Sequence, residues 1–293
     1  MPANVRDLLV RTSRTFALAI PLLPEPTRTG LGVAYLLFRV ADTLEDAAQL
    51  SRNERVEALE ELVLILRSGD KRRAKAASAR WSVNRVTDHA GYRDLLTALP
   101  DLFDELSTWP SARARIICLH AARTAEGMAQ ALREADAAGH FRLASLSALR
   151  MYCYVVAGIV GELVTDLFVF DAPKLEQARS ILAVHDRAFG EALQLVNILK
   201  DERADADDGR VYLPPGVSRQ SLIELARADL VQARAYIAAL VQADAPAGFV
   251  GFTSLPVELA ERALSAIEVR GAGAKVPREE VLALVTRYGL SRT

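Results

Sequence analysis

The residues best suited to chemistry are two runs of acids. Asp42-Thr43-Leu44-Glu45-Asp46 sets Asp42 and Asp46 on one helical face, with Glu45 beside them. Asp201-Glu202-Arg203-Ala204-Asp205 repeats that spacing, and Asp207 and Asp208 follow it. Like charges one such step apart repel by about 0.2–0.5 kcal/mol when solvated, so each pair calls for a positive partner. One pair alone reads as a polar helix end. Two pairs are what Mg²⁺ needs when it must also hold a diphosphate, because this hard, octahedral ion takes one or two carboxylates and fills its shell with phosphate oxygens and water. Two helices presenting such pairs across a gap would clamp a leaving group and assist C–O heterolysis.

The flanks supply cations for that leaving group. Tyr35-Leu36-Leu37-Phe38-Arg39-Val40-Ala41 puts Arg39 one turn before Asp42. Ser13-Arg14-Thr15-Phe16 stands near the start, Gln194-Leu195-Val196-Asn197-Ile198-Leu199-Lys200 precedes the second pair, and Gly209-Arg210-Val211-Tyr212-Leu213-Pro214 follows it.

These residues need long helices to hold them, and the pattern predicts little else. Apolar residues recur at spacings of three and four almost throughout, with scarcely any period-two alternation. Pro21, Pro24 and Pro26 end a first segment, and a long helix is expected over 29–48. Ser51-Arg52-Asn53-Glu54 has the form of a capping box opening a helix to about Arg67. The basic stretch 68–79 reads as loop. Helices are expected over 92–107, 111–136 and 145–170, then from an Asp171 N-cap to about Asp205. After a loop at 209–216 come helices over 218–242, 255–269 and 277–288. Gly158 and Gly161 inside a helix each cost about 1 kcal/mol relative to Ala, which points to close approach by another helix or by substrate. No linker or fixed-period repeat divides the chain, so residues 1–293 are expected to form one all-α domain, a bundle with a central cavity.

Composition narrows the function. The 293 residues are 51% hydrophobic and 25% charged, with a formal net charge of -1 and only 6% aromatics, a globular and helix-leaning profile with no nucleic-acid signature. Cys118 and Cys153 read as buried free thiols rather than a disulfide framework. Asp7 and Arg11 interrupt the place where a secretory signal would need apolar residues. No run reaches the roughly 18 uninterrupted apolar residues of a membrane span, and Val155–Val164, broken by Glu162, reads as a buried helix. A soluble protein is expected.

Six segments in order, SRTF, YLLFRVADTLED, EGMAQAL, YCYVVAGIVG, FGEALQLVNILKDERAD and DGRVYLP, cover nearly the whole chain. Together they resemble the squalene/phytoene synthase family, the head-to-head prenyltransferases. The resemblance implies the isoprenoid-synthase helical bundle. It also implies that Asp42, Asp46, Asp201 and Asp205, with Glu45 close by, hold two or three Mg²⁺ ions and through them a prenyl diphosphate. Ser13, Arg14, Arg39 and Arg210 would contact phosphate oxygens, and Phe16, Gln194 and Asn197 would belong to the substrate site. Tyr35 and Tyr152 match positions acting on the carbocation, Tyr152 as the proton acceptor together with released diphosphate. An apolar interior would keep water from quenching the cation.

Within the family the motifs lean towards squalene synthase, which joins two farnesyl diphosphates through presqualene diphosphate and reduces the product with NADPH. Lys200 and Arg210 would then serve that cofactor, although Lys200 stands where the family often has Arg, and no Rossmann-type glycine fingerprint is present. GRVYLP leans instead towards the carotenoid enzymes, so phytoene, dehydrosqualene or presqualene diphosphate synthase are the alternatives. A helical scaffold protein is the non-enzyme alternative, and intact acidic pairs and arginines argue against it. The closing residues TRYGLSRT do not read as a membrane anchor, and none is expected. The expectation is a cytoplasmic enzyme with at most transient membrane contact.

Overall fold

A computed structural model describes the chain except for residues 13–14, 85, 135–140, 208 and 290–293, and except for the side chains of 15–17 and 141. Packing divides it into two compact units, Met1–Leu18 with Glu25–Glu134, and Ala19–Pro24 with Ala135–Thr293.

The first unit holds α1 (Ala3–Thr12), α2 (Thr27–Glu45), α3 (Arg52–Ser68), α4 (Lys71–Val83), α5 (Ala90–Thr97), α6 (Leu99–Ser107) and α7 (Ser111–Glu134). Helix α2 is its centre, packing on α1, α3, α5 and α7. From Leu31 to Leu44 every residue is buried except Tyr35, Arg39 and Asp42. The capping box at α3 is present in both directions, with Glu54 N–H donating to Ser51 Oγ at 3.3 Å and Ser51 N–H to Glu54 Oε2 at 2.8 Å.

Two expectations fail in this unit. The stretch 68–79 is not a loop, since most of it is α4. Gly69 ends α3 in the left-handed conformation, Asp70 Oδ1 accepts from the N–H groups of Arg72 and Arg73, and Ala74, Ala77 and Trp81 form a buried stripe. The basic residues occupy the outer face. The single helix expected over 92–107 is two helices, with a break at Ala98 just ahead of Pro100.

The second unit contains α8 (Leu146–Cys153), a π-turn (Tyr154–Gly158), α9 (Ile159–Asp171), a 3₁₀ turn (Pro173–Ala178), α10 (Arg179–Asp207), α11 (Arg219–Gln242), α12 (Ala247–Arg270) and α13 (Arg278–Arg287). Helix α10 packs on α9, α11 and α12. Asp171 does not cap α10 but closes α9, and the 3₁₀ turn intervenes. Helix α12 begins eight residues before the expected Leu255 and runs through Pro256. Phe249, stacked on Phe168 with centroids 3.9 Å apart, and the tight seat of Gly248 against Leu22 hold these early turns. A two-residue parallel bridge joins β1 (Phe141–Arg142) to β2 (Arg210–Val211), pairing Phe141 with Arg210. No strand was expected there.

The glycines of the π-turn region are packing devices. A Cβ on Gly161 would lie 1.9 Å from the Asp186 carbonyl oxygen, and one on Gly190 would lie 1.9 Å from that of Ala157. Helix α10 therefore approaches α9 and the π-turn backbone to backbone. Of the two readings of Gly158 and Gly161, close approach by a helix is the one found. The stretch Leu146–Asp171 is long and apolar enough to cross a membrane by length and composition, with mean hydropathy 1.8, and 56% of its most apolar window is buried inside the protein. Core helices of soluble proteins meet the same criterion. Cys153 is buried and Cys118 half-buried, and both are free thiols.

Candidate active site

In the first unit the exposed edge of α2 is Tyr35, Arg39 and Asp42, followed by half-buried Glu45 and exposed Asp46. A helix buried on all other sides thus keeps one polar stripe open at the spacing of a single face. Arg39, 11% exposed, is gripped within it. Its Nη1 lies 2.8 Å from Asp42 Oδ2, and its Nη2 donates to the Tyr35 hydroxyl at 3.1 Å. The Tyr35 hydroxyl in turn donates to the carbonyl of Thr12 at 3.1 Å. The guanidinium also lies 5.5 Å from the Tyr35 ring centroid and 5.9 Å from that of Tyr92. Burial alone would lower the Arg39 pKa, but Asp42 and the Tyr35 hydroxyl hold it above the ordinary value, so the cation is permanent.

The stripe works against its own helix. The last turn of α2 carries no basic residue, although cations there would stabilise it by about 0.3–1 kcal/mol each and anions do the reverse. Arg55, reaching over from α3, donates to the Glu45 carbonyl at 3.0 Å and braces this end.

The second unit repeats the design on α10. Between Phe189 and Leu199 only Leu193, Gln194 and Asn197 are not buried, and the face continues through Asp201 to Asp205. Lys200 Nζ lies 3.2 Å from Asp201 Oδ2 and 3.4 Å from Asn197 Oδ1. The last turn of α10 also lacks a basic residue. Glu202 points elsewhere, accepting from Arg219 Nε at 3.0 Å. Tyr152 meets Tyr212, hydroxyl to hydroxyl at 3.2 Å and with ring centroids 5.0 Å apart. Arg210, half-buried on β2, lines a cavity of about 190 Å³ under the 210–213 segment, together with Ile198, Glu202 and Arg219.

Tyr35, Arg39, Asp42, Glu45 and Asp46 are thus gathered on one face in the first unit. Gln194, Asn197, Lys200, Asp201 and Asp205 are gathered in the second, where Tyr152 and Arg210 also lie. Ser13 and Arg14 lie outside the described residues, as does the Phe16 side chain. Sequence reasoning missed Tyr92, Arg55 and Tyr212 as parts of these clusters. Only Tyr212 had a signal, its place in GRVYLP.

Among the described residues no three His, Cys, Asp or Glu side chains converge into a ready-made metal cage. That suits Mg²⁺ carried with a diphosphate, because such an ion takes few protein ligands and completes its shell from phosphate and water. The donors are all oxygen, and neither helix carries a basic residue in its last turn, so the residues fit the ion.

Known proteins resemble both the sequence and the fold. The squalene synthase of Schizosaccharomyces pombe is 27% identical over 220 residues, 73% of this chain and 45% of the relative. That of Saccharomyces cerevisiae is 25% identical over 217 residues, 73% of this chain and 46% of the relative. The chain thus spans somewhat less than half the length of these curated relatives. Among solved structures, a squalene synthase with a bound ligand (TcSQS) superposes with a TM-score of 0.78 at 20% identity, covering 97% of this chain and 85% of its own. A dehydrosqualene synthase in complex with a ligand gives 0.60 at 20% identity, covering 98% and 94%. Both establish the all-α isoprenoid-synthase fold. The family model for squalene/phytoene synthases matches residues 9–221, a span that takes in both acidic stripes and both tyrosines, and the chain belongs to that family.

Proposed function

We propose that this protein condenses two farnesyl diphosphates head to head, through presqualene diphosphate, and that with NADPH the product is squalene. The observation that carries the reading is the pair of open polar stripes on otherwise buried helices. Each ends in an acidic pair, and each carries a fixed cation, Arg39 or Lys200, within a turn of its first aspartate.

Asp42, Asp46, Asp201 and Asp205 would hold Mg²⁺, which withdraws charge from a departing diphosphate. Arg39 binds phosphate oxygens directly, and its contacts to Tyr35 and Asp42 fix its direction before substrate arrives. Lys200 does the same beside Asp201. C–O heterolysis leaves an allylic cation, which the C2–C3 double bond of the second farnesyl chain attacks. Loss of a C1 proton then closes the cyclopropane. Tyr152 accepts that proton as it passes its own hydroxyl proton to released diphosphate, and its contact to the Tyr212 hydroxyl orients the relay. Tyr35, which also orients Arg39, would act on the cation, as its place in the YLLFRVADTLED motif implies. Apolar walls exclude water that would turn the cation into an alcohol.

NADPH would supply the hydride that quenches the rearranged cation. Lys200 and Arg210 offer the charges its phosphates require, while Lys200 is shared with Asp201. Dehydrosqualene, phytoene or presqualene diphosphate as product is the second reading, favoured by the GRVYLP segment. A cytoplasmic protein that touches the membrane only to deliver product completes the proposal.

The test is product analysis by mass spectrometry after incubation with farnesyl diphosphate and Mg²⁺, with and without NADPH. Squalene formed only with NADPH supports the reading. Dehydrosqualene, or presqualene diphosphate persisting despite NADPH, moves the protein to the second reading. Failure to consume either farnesyl or geranylgeranyl diphosphate defeats both.

A further inference from the structure

Behind the tyrosine pair of the second unit lies a buried charge network that the reaction as proposed does not use. Glu191 on α10 is fully buried and Asp229 on α11 is 5% exposed. Arg150, in the last turn of α8, spans both, with Nη1 on Asp229 Oδ2 and Nη2 3.1 Å from Glu191 Oε2. Arg187 Nε donates to the other oxygen of Glu191. The Arg187 guanidinium also covers the Tyr154 ring at 4.1 Å, and the Tyr154 hydroxyl donates to Glu162 at 3.0 Å. Burial pushes the carboxyls of Glu191 and Asp229 up, against the pull of the two arginines.

Such a cluster is poor value as stabilisation. Desolvating the charges cancels most of what their attraction returns, and well-packed apolar residues commonly do as well. Its position suggests another use. The network closes around the π-turn Tyr154–Gly158, where the N–H of Ile159 bonds five residues back to the Tyr154 carbonyl. Glu191 Oε1 would lie 3.2 Å from a Cβ on Gly158, so the carboxylate sits directly against the turn. One extra residue in a turn rotates everything after it by about 100° relative to a continuous α-helix. With that rotation Gly161 faces α10 while Tyr152, before the turn, faces Tyr212.

We infer that Glu191, clamped between Arg150 and Arg187, is a positioning residue that holds the π-turn against α10 and fixes the register in which Tyr152 meets Tyr212. The catalytic consequence rests on the proton-accepting role proposed for Tyr152, whereas the geometric part does not. Glu191→Gln keeps the shape and removes the charge that unites the two arginines. Arg150→Met acts on a side chain 31% exposed and is measured alongside, so the outcome does not depend on one buried substitution folding. Arg150→Lys is the conservative control.

Hydrogen exchange on the full chain and steady-state kinetics with farnesyl diphosphate provide the readouts. Expected in Glu191→Gln or Arg150→Met is exchange about tenfold faster or more at 154–159, with α12 unchanged. The same variants should lose about ten- to a hundredfold in kcat at constant KM, with Arg150→Lys recovering most of it. Wild-type protection at 154–159 overturns the inference, and so does faster exchange with wild-type kcat. A wild-type protein that turns over no prenyl diphosphate instead defeats the proposed function, and the exchange arm still decides whether Glu191 holds the turn.

Discussion

Replacing Arg39 tests whether the first cluster is a preorganised diphosphate cradle. The side chain is 11% exposed and holds Asp42 at 2.8 Å and the Tyr35 hydroxyl at 3.1 Å. Losing a charge-assisted contact costs about 1.5–3 kcal/mol and a neutral hydrogen bond about 1 kcal/mol, part of which is offset because Arg39→Met no longer desolvates a cation. The net loss should be about 2–3 kcal/mol, a fall in Tm of about 5–10 °C. Arg39→Lys keeps the charge but serves only one partner at a time, so about 1 kcal/mol should be lost. Turnover should separate from stability. Either variant loses the planar fork that matches phosphate, and Arg39→Met should lower kcat by about 10²–10³. Thermal melts monitored by far-UV circular dichroism, paired with pyrophosphate release, read both quantities. An Arg39→Met protein as stable as wild type would refute the cradle, and so would an Arg39→Lys protein as damaged as Arg39→Met.

Further expectations concern metal, packing and pH. Asp42→Asn and Asp201→Asn should each cost orders of magnitude in kcat while the helical fold persists, and wild-type turnover in both would remove the metal assignment. Gly161→Ala should cost about 3 kcal/mol or more in a urea melt, because its methyl meets backbone at 1.9 Å and backbone has nowhere to go. Gly216→Ala, at φ +78° with open space around it, should cost only about 1 kcal/mol, and equal costs at the two sites would contradict the packing argument. Burial pushes the Asp186 carboxyl up to about 6 despite hydrogen bonds from Thr165 and the Arg187 N–H. The folded state therefore holds this proton more tightly than the unfolded chain. Its stabilising effect is present at acid pH and is lost as pH rises through about 6, a swing of up to about 3 kcal/mol. Asp186→Asn should consequently raise Tm at neutral pH and leave it nearly unchanged near pH 4, and a destabilised variant at neutral pH would overturn this.

Much of the candidate site was legible because the metal and phosphate chemistry proposed for it restricts residue types. Asp42, Asp46, Asp201 and Asp205 could be placed on two faces by spacing alone, and the structure leaves those faces open. The structure adds partners far away in sequence. Tyr92 reaches Arg39 from α5 and Arg55 reaches Glu45 from α3, and no local pattern announces either. The basic residues of α4 give the pattern of a solvated loop, whereas Asp70 at the cap and the Ala74–Ala77–Trp81 stripe decide its structure. Pro256, which fits a first helical turn, hides the earlier start of α12 in the sequence. Burial of Phe249 and Phe252 outweighs the hydrogen bond that Pro256 cannot make. The Arg150–Glu191–Asp229 network was invisible for the same reason as Tyr92, since its members meet only across three helices.

The most direct test of the central claim uses farnesyl diphosphate fully deuterated at C1, with Mg²⁺ and NADPH, and weighs the hydrocarbon product. Head-to-head coupling must discard one C1 deuteron when the cyclopropane closes and then accept an unlabelled hydride, so the account predicts squalene lighter by one deuterium than the label supplied. A product that keeps every C1 deuteron would come from head-to-tail elongation or cyclisation and would contradict it.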